Sequence, residues 1–192
     1  MINNSFFPTV IASDSNLELA VQMLPIARKY LNDPALITNT WGYKNTYNGS
    51  AGIEHQSDLA PFIDYINSLG TNYLDSLGYD SSKINFAINV FTSEMVAGDS
   101  HNIHSHPNCI LSGIFYLQVP VGASKIIFYD PRPAKNFVVL PKKKDDYFNW
   151  QEIYFEPVAG LCLIWQSWLE HSVPVNTNTE GRITLVFNIT QI

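Results

Sequence analysis

Apolar positions in the first part of the chain recur at helical spacing. Leu17, Ala20, Val21 and Leu24 form an i, i+3, i+4, i+7 stripe behind the capping residues Asp14-Ser15, and Pro25 is expected to kink or end that helix. A second helix is predicted from the cap Ser57-Asp58, with Pro61 in its first turn. It sets Phe62, Ile66, Leu69, Tyr73 and Leu77 on one side before Gly78. The two helices bracket a turn-rich segment from Asn32 to Gly52.

From Ile84 the period changes to two. Ile84, Phe86, Ile88 and Val90 alternate with Asn85, Ala87 and Asn89, the signature of a half-buried strand. Further strands are predicted at Leu111 to Val119, Lys125 to Tyr129, Val158 to Trp165 and Arg182 to Ile189, the first two joined by the turn Pro120-Val121-Gly122-Ala123. Pro131 to Asn149 reads as a long loop, carrying Lys142-Lys143-Lys144 offset by Asp145-Asp146, and residues 131–150 are long enough to form a lid. Helices followed by short strands predict an α+β, mainly β fold, with helices packed on one sheet of a β-sandwich or jelly roll. One domain is expected over residues 1–192, with residues 1–80 as helical support and 84–192 as the jelly-roll core.

Composition narrows the function classes. With 192 residues, 46% apolar, the chain can bury one sizeable core. A net charge of −6 supplies no basic surface for nucleic acid or anionic lipid, so a small molecule or a peptide is the expected substrate. The start, Met1-Ile2-Asn3-Asn4-Ser5, has no secretory-signal pattern, and no apolar run reaches membrane-spanning length. Cys109 and Cys162, each in an apolar run, read as reduced core thiols and suggest a cytoplasmic protein. Oligomeric state is open, a homodimer included.

The chemistry-bearing residues are concentrated. Four of five histidines fall in two short segments, His101, His104 and His106 in one and His171 in the other, while His55 stands apart. On a strand His104 and His106 point the same way, and with His171 they offer three ligands to one ion while leaving coordination positions open. An unbroken strand from His104 to Gln118 would place His104, His106, Asn108, Ser112, Ile114 and Tyr116 on one face. Cys109, Leu111, Phe115 and Leu117 would lie on the other, under the helices. In the last strand Arg182, Thr184, Val186 and Asn188 share a face opposite Ile183, Leu185, Phe187 and Ile189, so both strands would line one pocket. Trp165 and Trp168 would wedge the loop before His171 against the core, and His101 would stay outside the metal's ligands.

The ordered set His104-Ser105-His106-Pro107-Asn108, Ser112 to Leu117, Phe128-Tyr129-Asp130-Pro131-Arg132, Ser167 to Val173 and Arg182-Ile183-Thr184 resembles Fe(II)/2-oxoglutarate-dependent oxygenases. It is most similar to a bacterial and phage branch distantly related to prolyl hydroxylases. The resemblance covers about residues 89–192. It implies a double-stranded β-helix, with Fe(II), 2-oxoglutarate and O2 used to hydroxylate a substrate with release of succinate and CO2. His104 and His171 match the first and last iron ligands, and His106 falls where the family usually has a carboxylate. Arg182, with Thr184 and Tyr116, matches the site that holds the far carboxylate of 2-oxoglutarate; Asn108 and Ser112 are pocket candidates by parity. Pairing residues 111–119 with 125–129 would return Asp130 beside Gly113, as an alternative ligand, as an orienting carboxylate or as a turn residue. Arg132 would stand at the loop entrance. Two other readings stay open: a cupin-like three-histidine metal enzyme independent of 2-oxoglutarate, and a non-catalytic jelly-roll binding module.

Overall fold

The structure, a computed structural model, describes residues 6–48, 52–132 and 140–192. The N-terminal pentapeptide and the middle of the 131–150 loop, in which a lid is expected, lie outside them. In chain order the elements are β1 (Ile11–Ser15), α1 (Leu17–Leu31), β2 (Lys44–Asn45), α2 (Ala60–Ser76), β3 (Phe86–Met95), β4 (His101–His104) and β5 (Leu111–Gln118). There follow β6 (Ile126–Tyr129), β7 (Glu152–Phe155), β8 (Leu161–Gln166), β9 (His171–Val173) and β10 (Arg182–Gln191). They form two antiparallel sheets, a large one in the order β1-β8-β5-β10-β3-β2 and a small one in the order β4-β9-β6-β7.

Strand alternation divides the large sheet into two working faces. Leu111, Phe115, Leu117, Cys162, Ile164, Ile183, Leu185, Phe187 and Ile189 point to the helices and pack with Met23, Ala27, Phe62 and Ile66. Ile114, Tyr116, Leu163 and Trp165 point the other way, and pack with Ile126 and Phe128 of the small sheet. The parities expected for residues 111–118 and for 182–189 therefore hold, and the result is a double-stranded β-helix with its helices outside one sheet.

Several local expectations are corrected. The cap of α1 is Asn16, whose Oδ1 accepts from Leu19 N at 3.0 Å, because Asp14 and Ser15 are already paired in β1 against β8. The buried stripe is Leu19, Ala20, Met23, Ala27, Tyr30 and Leu31, while Leu17 and Val21 face solvent. Pro25 stays inside the helix. The Val21 carbonyl it leaves without a helical donor belongs to an exposed residue, where water can serve instead. Asp58 does not cap α2; it binds Lys29 and Tyr30 of α1. The first 80 residues are more than helical support, since β1 and β2 are the two edges of the large sheet.

The strand expected from His104 to Gln118 is broken. β4 ends at His104 in the small sheet, Asn108 takes a left-handed turn at φ 65°, and β5 starts at Leu111 in the large sheet. Nor does β5 pair with the returning strand: β6 pairs with β7 and β9, so the turn after Gln118 carries the chain between sheets. Cys109 falls in this break, half-buried, whereas Cys162 is a buried core thiol as expected. Trp165 is in the core and Trp168 is half exposed.

Gly113 marks a close approach within the large sheet: a Cβ there would meet Phe187 Cζ at 2.1 Å and the Leu163 carbonyl at 2.6 Å. Because one of these neighbours is backbone, Gly113→Ala is expected to lower unfolding free energy by about 1–3 kcal/mol. Urea denaturation of the two proteins measures this directly.

Candidate metal and anion site

One register contact builds the centre of the site. In the small sheet His104 of β4 lies directly opposite His171 of β9, and His101 lies opposite Val173. Three residue steps on one strand, His101 to His104, thus span two on the other, His171 to Val173. This bulge adds one residue to β4 and turns His101 and His104, which would alternate on a regular strand, toward the same side. Their rings stack with centroids 3.8 Å apart. His106, two residues past the strand, is anchored by its backbone N–H donating to the Ser167 carbonyl at 2.9 Å. Its Nε2 is 3.2 Å from Nε2 of His171. His104, His106 and His171 each offer a ligand atom within 4.8 Å of the others.

Backbone contacts fix the tautomers of two of these rings. His104 Nδ1 lies 2.7 Å from the Asn102 carbonyl and His171 Nδ1 lies 2.9 Å from the Leu169 carbonyl. A carbonyl only accepts, so each Nδ1 carries a proton and donates it, leaving a lone pair on Nε2. Burial pulls the titration of His106 down to about 4 and of His171 down to about 2, with the neighbouring imidazoles adding to the effect; His104 is lowered for the same first reason. The three rings are therefore neutral at physiological pH. Two nitrogens each about 2.1 Å from a common ion at a right angle would stand about 3 Å apart, close to the observed Nε2 separation. The donor set fits a divalent transition metal, and three imidazoles leave its positions open to other ligands.

Arg182 opens β10 and is 2% exposed. Its guanidinium donates to the Ser124 carbonyl at 2.7 Å and to Met95 Sδ at 2.8 Å, both neutral acceptors, and Nε has no partner among the described residues. Among the described residues it makes no ion pair, and burial works against its charge. Tyr116 lies beside it, with the guanidinium carbon 5.7 Å from the ring centroid; its buried hydroxyl is also without a partner and is pushed up to about 12 by burial. Two orphaned donors and an unneutralised cation fit a carboxylate-bearing molecule. Thr184 pairs across the sheet with Tyr116, and its hydroxyl is engaged with Ser93 at 2.9 Å.

The histidines and Arg182 line one cavity of about 460 Å³ between the sheets. Ile114, Val186 and Asn188 join them as strand parity predicts, while Tyr116, Ser112 and Thr184 lie fully buried behind the wall. Ser112 donates to Asn188 Oδ1 at 2.8 Å and so accepts from Ser167 at 2.7 Å, which orients the Asn188 amide. Asn108 is carried out of the cavity by its left-handed turn and is exposed. Asp130 is outside the histidine cluster, its carboxylate paired with Arg132 at 2.5 Å, because β6 runs beside β9 and not beside β5. His101, outside the cluster as expected, is bound through Nδ1 to the Tyr43 hydroxyl at 3.0 Å. Sequence reasoning missed an entire wall, made by Trp41, Tyr43, Tyr47 and Phe91. Its one signal was the concentration of aromatics in the turn-rich segment before Gly52.

Comparison with known proteins agrees with this geometry. The family described as "Putative 2OG-Fe(II) oxygenase" matches residues 89–188. No curated protein sequence matches the chain. Among solved structures, a Pseudomonas putida prolyl-4-hydroxylase is similar with TM-score 0.67 at 12% identity, covering 95% of this chain and 93% of that one. A prolyl hydroxylase from Trichoplax adhaerens, bound to a hypoxia inducible factor peptide, gives 0.63 at 10% identity over 94% and 83% of the two chains. The epimerase SnoN from nogalamycin biosynthesis, in complex with Fe3+ and alpha ketoglutarate, gives 0.64 at 13% identity over 95% and 79%. At these identities the likeness is one of fold. The family match spans more than half of the 192 residues, and the chain belongs to the 2OG-Fe(II) oxygenase family.

Proposed function

We propose that this protein is a 2-oxoglutarate-dependent non-haem iron dioxygenase that hydroxylates a small molecule or a peptide. The observation that carries the reading is the cavity holding both a cluster of three neutral imidazoles and the buried Arg182, which meets no carboxylate among the described residues. Fe(II) and 2-oxoglutarate are the cofactors of the family. When bound, they supply the oxidising chemistry, in which decarboxylation to succinate and CO2 is coupled to hydroxylation of a C–H bond.

In this reading His104, His106 and His171 hold the metal. The Asn102 and Leu169 carbonyls keep the His104 and His171 rings turned with Nε2 inward. Arg182 holds the far carboxylate of 2-oxoglutarate with paired hydrogen bonds, the Tyr116 hydroxyl stands beside it as a further donor, and Thr184 steadies that end through Ser93. Asn188 presents its amide to the cavity, and the apolar walls exclude water. Arg182 also argues against the cupin-like alternative, which gives a buried guanidinium nothing to bind.

Anaerobic addition of Fe(II) and 2-oxoglutarate is expected to produce a visible charge-transfer band, and admission of air to release succinate; folded, metal-loaded protein that does neither refutes the proposal. Arg182→Met is expected to weaken 2-oxoglutarate binding by about 10–100-fold with iron affinity retained, as follows from losing hydrogen bonds to a charged group. Titration calorimetry separates the two affinities, and circular dichroism checks the fold. His106→Ala is expected to lose iron by more than about 100-fold, whereas Asp130→Ala keeps it; the reverse result makes Asp130 the third ligand. Since His106 and His171 take up protons only near 4 and 2, protons do not compete with the metal at neutral pH. His104 is lowered in the same direction, so metal affinity is expected to fall less between about pH 8 and 6 than at a site of ordinary histidines of pKa about 6.5, and to drop on further acidification.

A further inference from the structure

Trp41 occupies a costly position. Its backbone is left-handed at φ 69°, a conformation that bulky residues rarely adopt, and its side chain is 43% exposed at the cavity wall. The segment around it is nevertheless firmly held. Asn45, fully buried, donates through Nδ2 to the Thr40 and Tyr43 carbonyls, both at 2.8 Å, bracketing Trp41 on either side. Its Oδ1 accepts from the Thr38 hydroxyl at 2.7 Å and from Tyr47 N at 2.9 Å. Every hydrogen-bonding position of one buried side chain is thus used to fix the loop that presents an open indole.

The indole is packed as a platform. Tyr47 lies 4.7 Å from it, His101 5.0 Å and Phe91 5.8 Å, centroid to centroid. His101 in turn stacks on His104 at 3.8 Å, so a single imidazole layer separates Trp41 from the histidine cluster. A molecule touching the exposed part of the indole therefore lies in the same cavity as the histidine cluster. A tryptophan held by four neighbouring rings, Tyr43 included at 6.0 Å, and still 43% exposed at the cavity wall offers flat aromatic surface at little cost in side-chain entropy.

Charge narrows the guest. No aspartate or glutamate lines the cavity among the described residues, whereas the buried Arg182 does. A cation could gain from the indole face, but the two negative charges of 2-oxoglutarate fall short of the three positive ones of a divalent metal and Arg182, and no side-chain carboxylate of the described lining makes up the difference. The guest best matched to this wall is a ring without positive charge.

We propose that Trp41 is the specificity-determining residue of this oxygenase, stacking against an uncharged ring of its substrate and holding it in the cavity that contains the histidine cluster. This deepens the functional reading above and rests on it. The substrate class is therefore a molecule or peptide presenting a neutral cyclic group, and ammonium-bearing substrates are disfavoured.

The test uses the full-length protein loaded with Zn(II), so that ring binding is read without turnover. Phenol, benzylammonium and N-methylacetamide serve as neutral-ring, cationic-ring and acyclic probes in saturation-transfer NMR. Phenol is expected to bind wild-type protein at least about 5-fold more tightly than either other probe. Trp41→Ala is expected to lose that preference and Trp41→Phe to keep most of it, with Zn(II) affinity within about 2-fold of wild type in both. Equal phenol binding by Trp41→Ala, or binding of benzylammonium or N-methylacetamide by wild type as tight as that of phenol, overturns the proposal. Failure of the oxygenase reading shows separately, as absence of succinate release by wild-type protein under Fe(II), 2-oxoglutarate and air.

Discussion

The site rests on the pairing of β4 with β9, because that pairing sets two imidazoles face to face before any ion is considered. Directly opposed residues in an antiparallel ladder have Cβ atoms about 4.5–5.5 Å apart, and His104 and His171 hold that relation. Slipping the register by one residue would turn one of them to the opposite face and dismantle the cluster. The bulge between His101 and His104 then adds a third ring as a stacking layer. Burial imposes the remaining condition. Partial desolvation of His104 and His106 and full burial of His171 favour the neutral imidazoles, and the backbone carbonyls of Asn102 and Leu169 determine which nitrogen of His104 and His171 retains its lone pair.

The two sheets contribute different chemistry, and the core between them sets the spacing. Phe128 of the small sheet meets Trp165 of the large one with centroids 4.9 Å apart, and Trp165 meets His171 at 4.8 Å. The small sheet and the turn after it bring the histidines; the large sheet brings Arg182 and Asn188. The Ser167 backbone and hydroxyl join the two, accepting from His106 N while donating to the Ser112 hydroxyl that orients Asn188. Packing of large aromatic side chains thus fixes the distance between a cluster of electron-pair donors and a buried cation.

A buried guanidinium bound, among the described residues, only to a carbonyl and a thioether is an unbalanced charge, and such charges are retained where a ligand completes them. The orphaned Tyr116 hydroxyl next to it points to the same need. Three neutral histidines would likewise leave the full charge of a divalent ion uncompensated by protein, so a dicarboxylate co-substrate would both offset part of the metal's charge and satisfy the arginine. The His106 departure from the usual family carboxylate and the isolation of Arg182 are, in this view, parts of one charge balance.

Alternation along single strands made much of this legible from sequence. Phe86 to Val90, Leu111 to Gln118 and Arg182 to Ile189 each have a strict period of two, so their inward and outward faces, and the placing of Arg182, Val186 and Asn188 in the cavity, follow from local stereochemistry. The grouping of His104, His106 and His171 was likewise readable from spacing and family likeness. What sequence left undetermined depended on contacts distant along the chain. The break at Asn108 and the transfer of β6 to the other sheet take Asp130 away from the place that simple hairpin pairing suggested. The wall around Trp41 shows the same limit, since an irregular segment has no period from which to infer a face. Sequence by itself determined which side of each regular strand a residue occupies, because alternation is fixed by backbone geometry within a few residues wherever no bulge or break interrupts it. Only tertiary structure decided which strands meet, because register and sheet assignment are settled by packing the whole core at once.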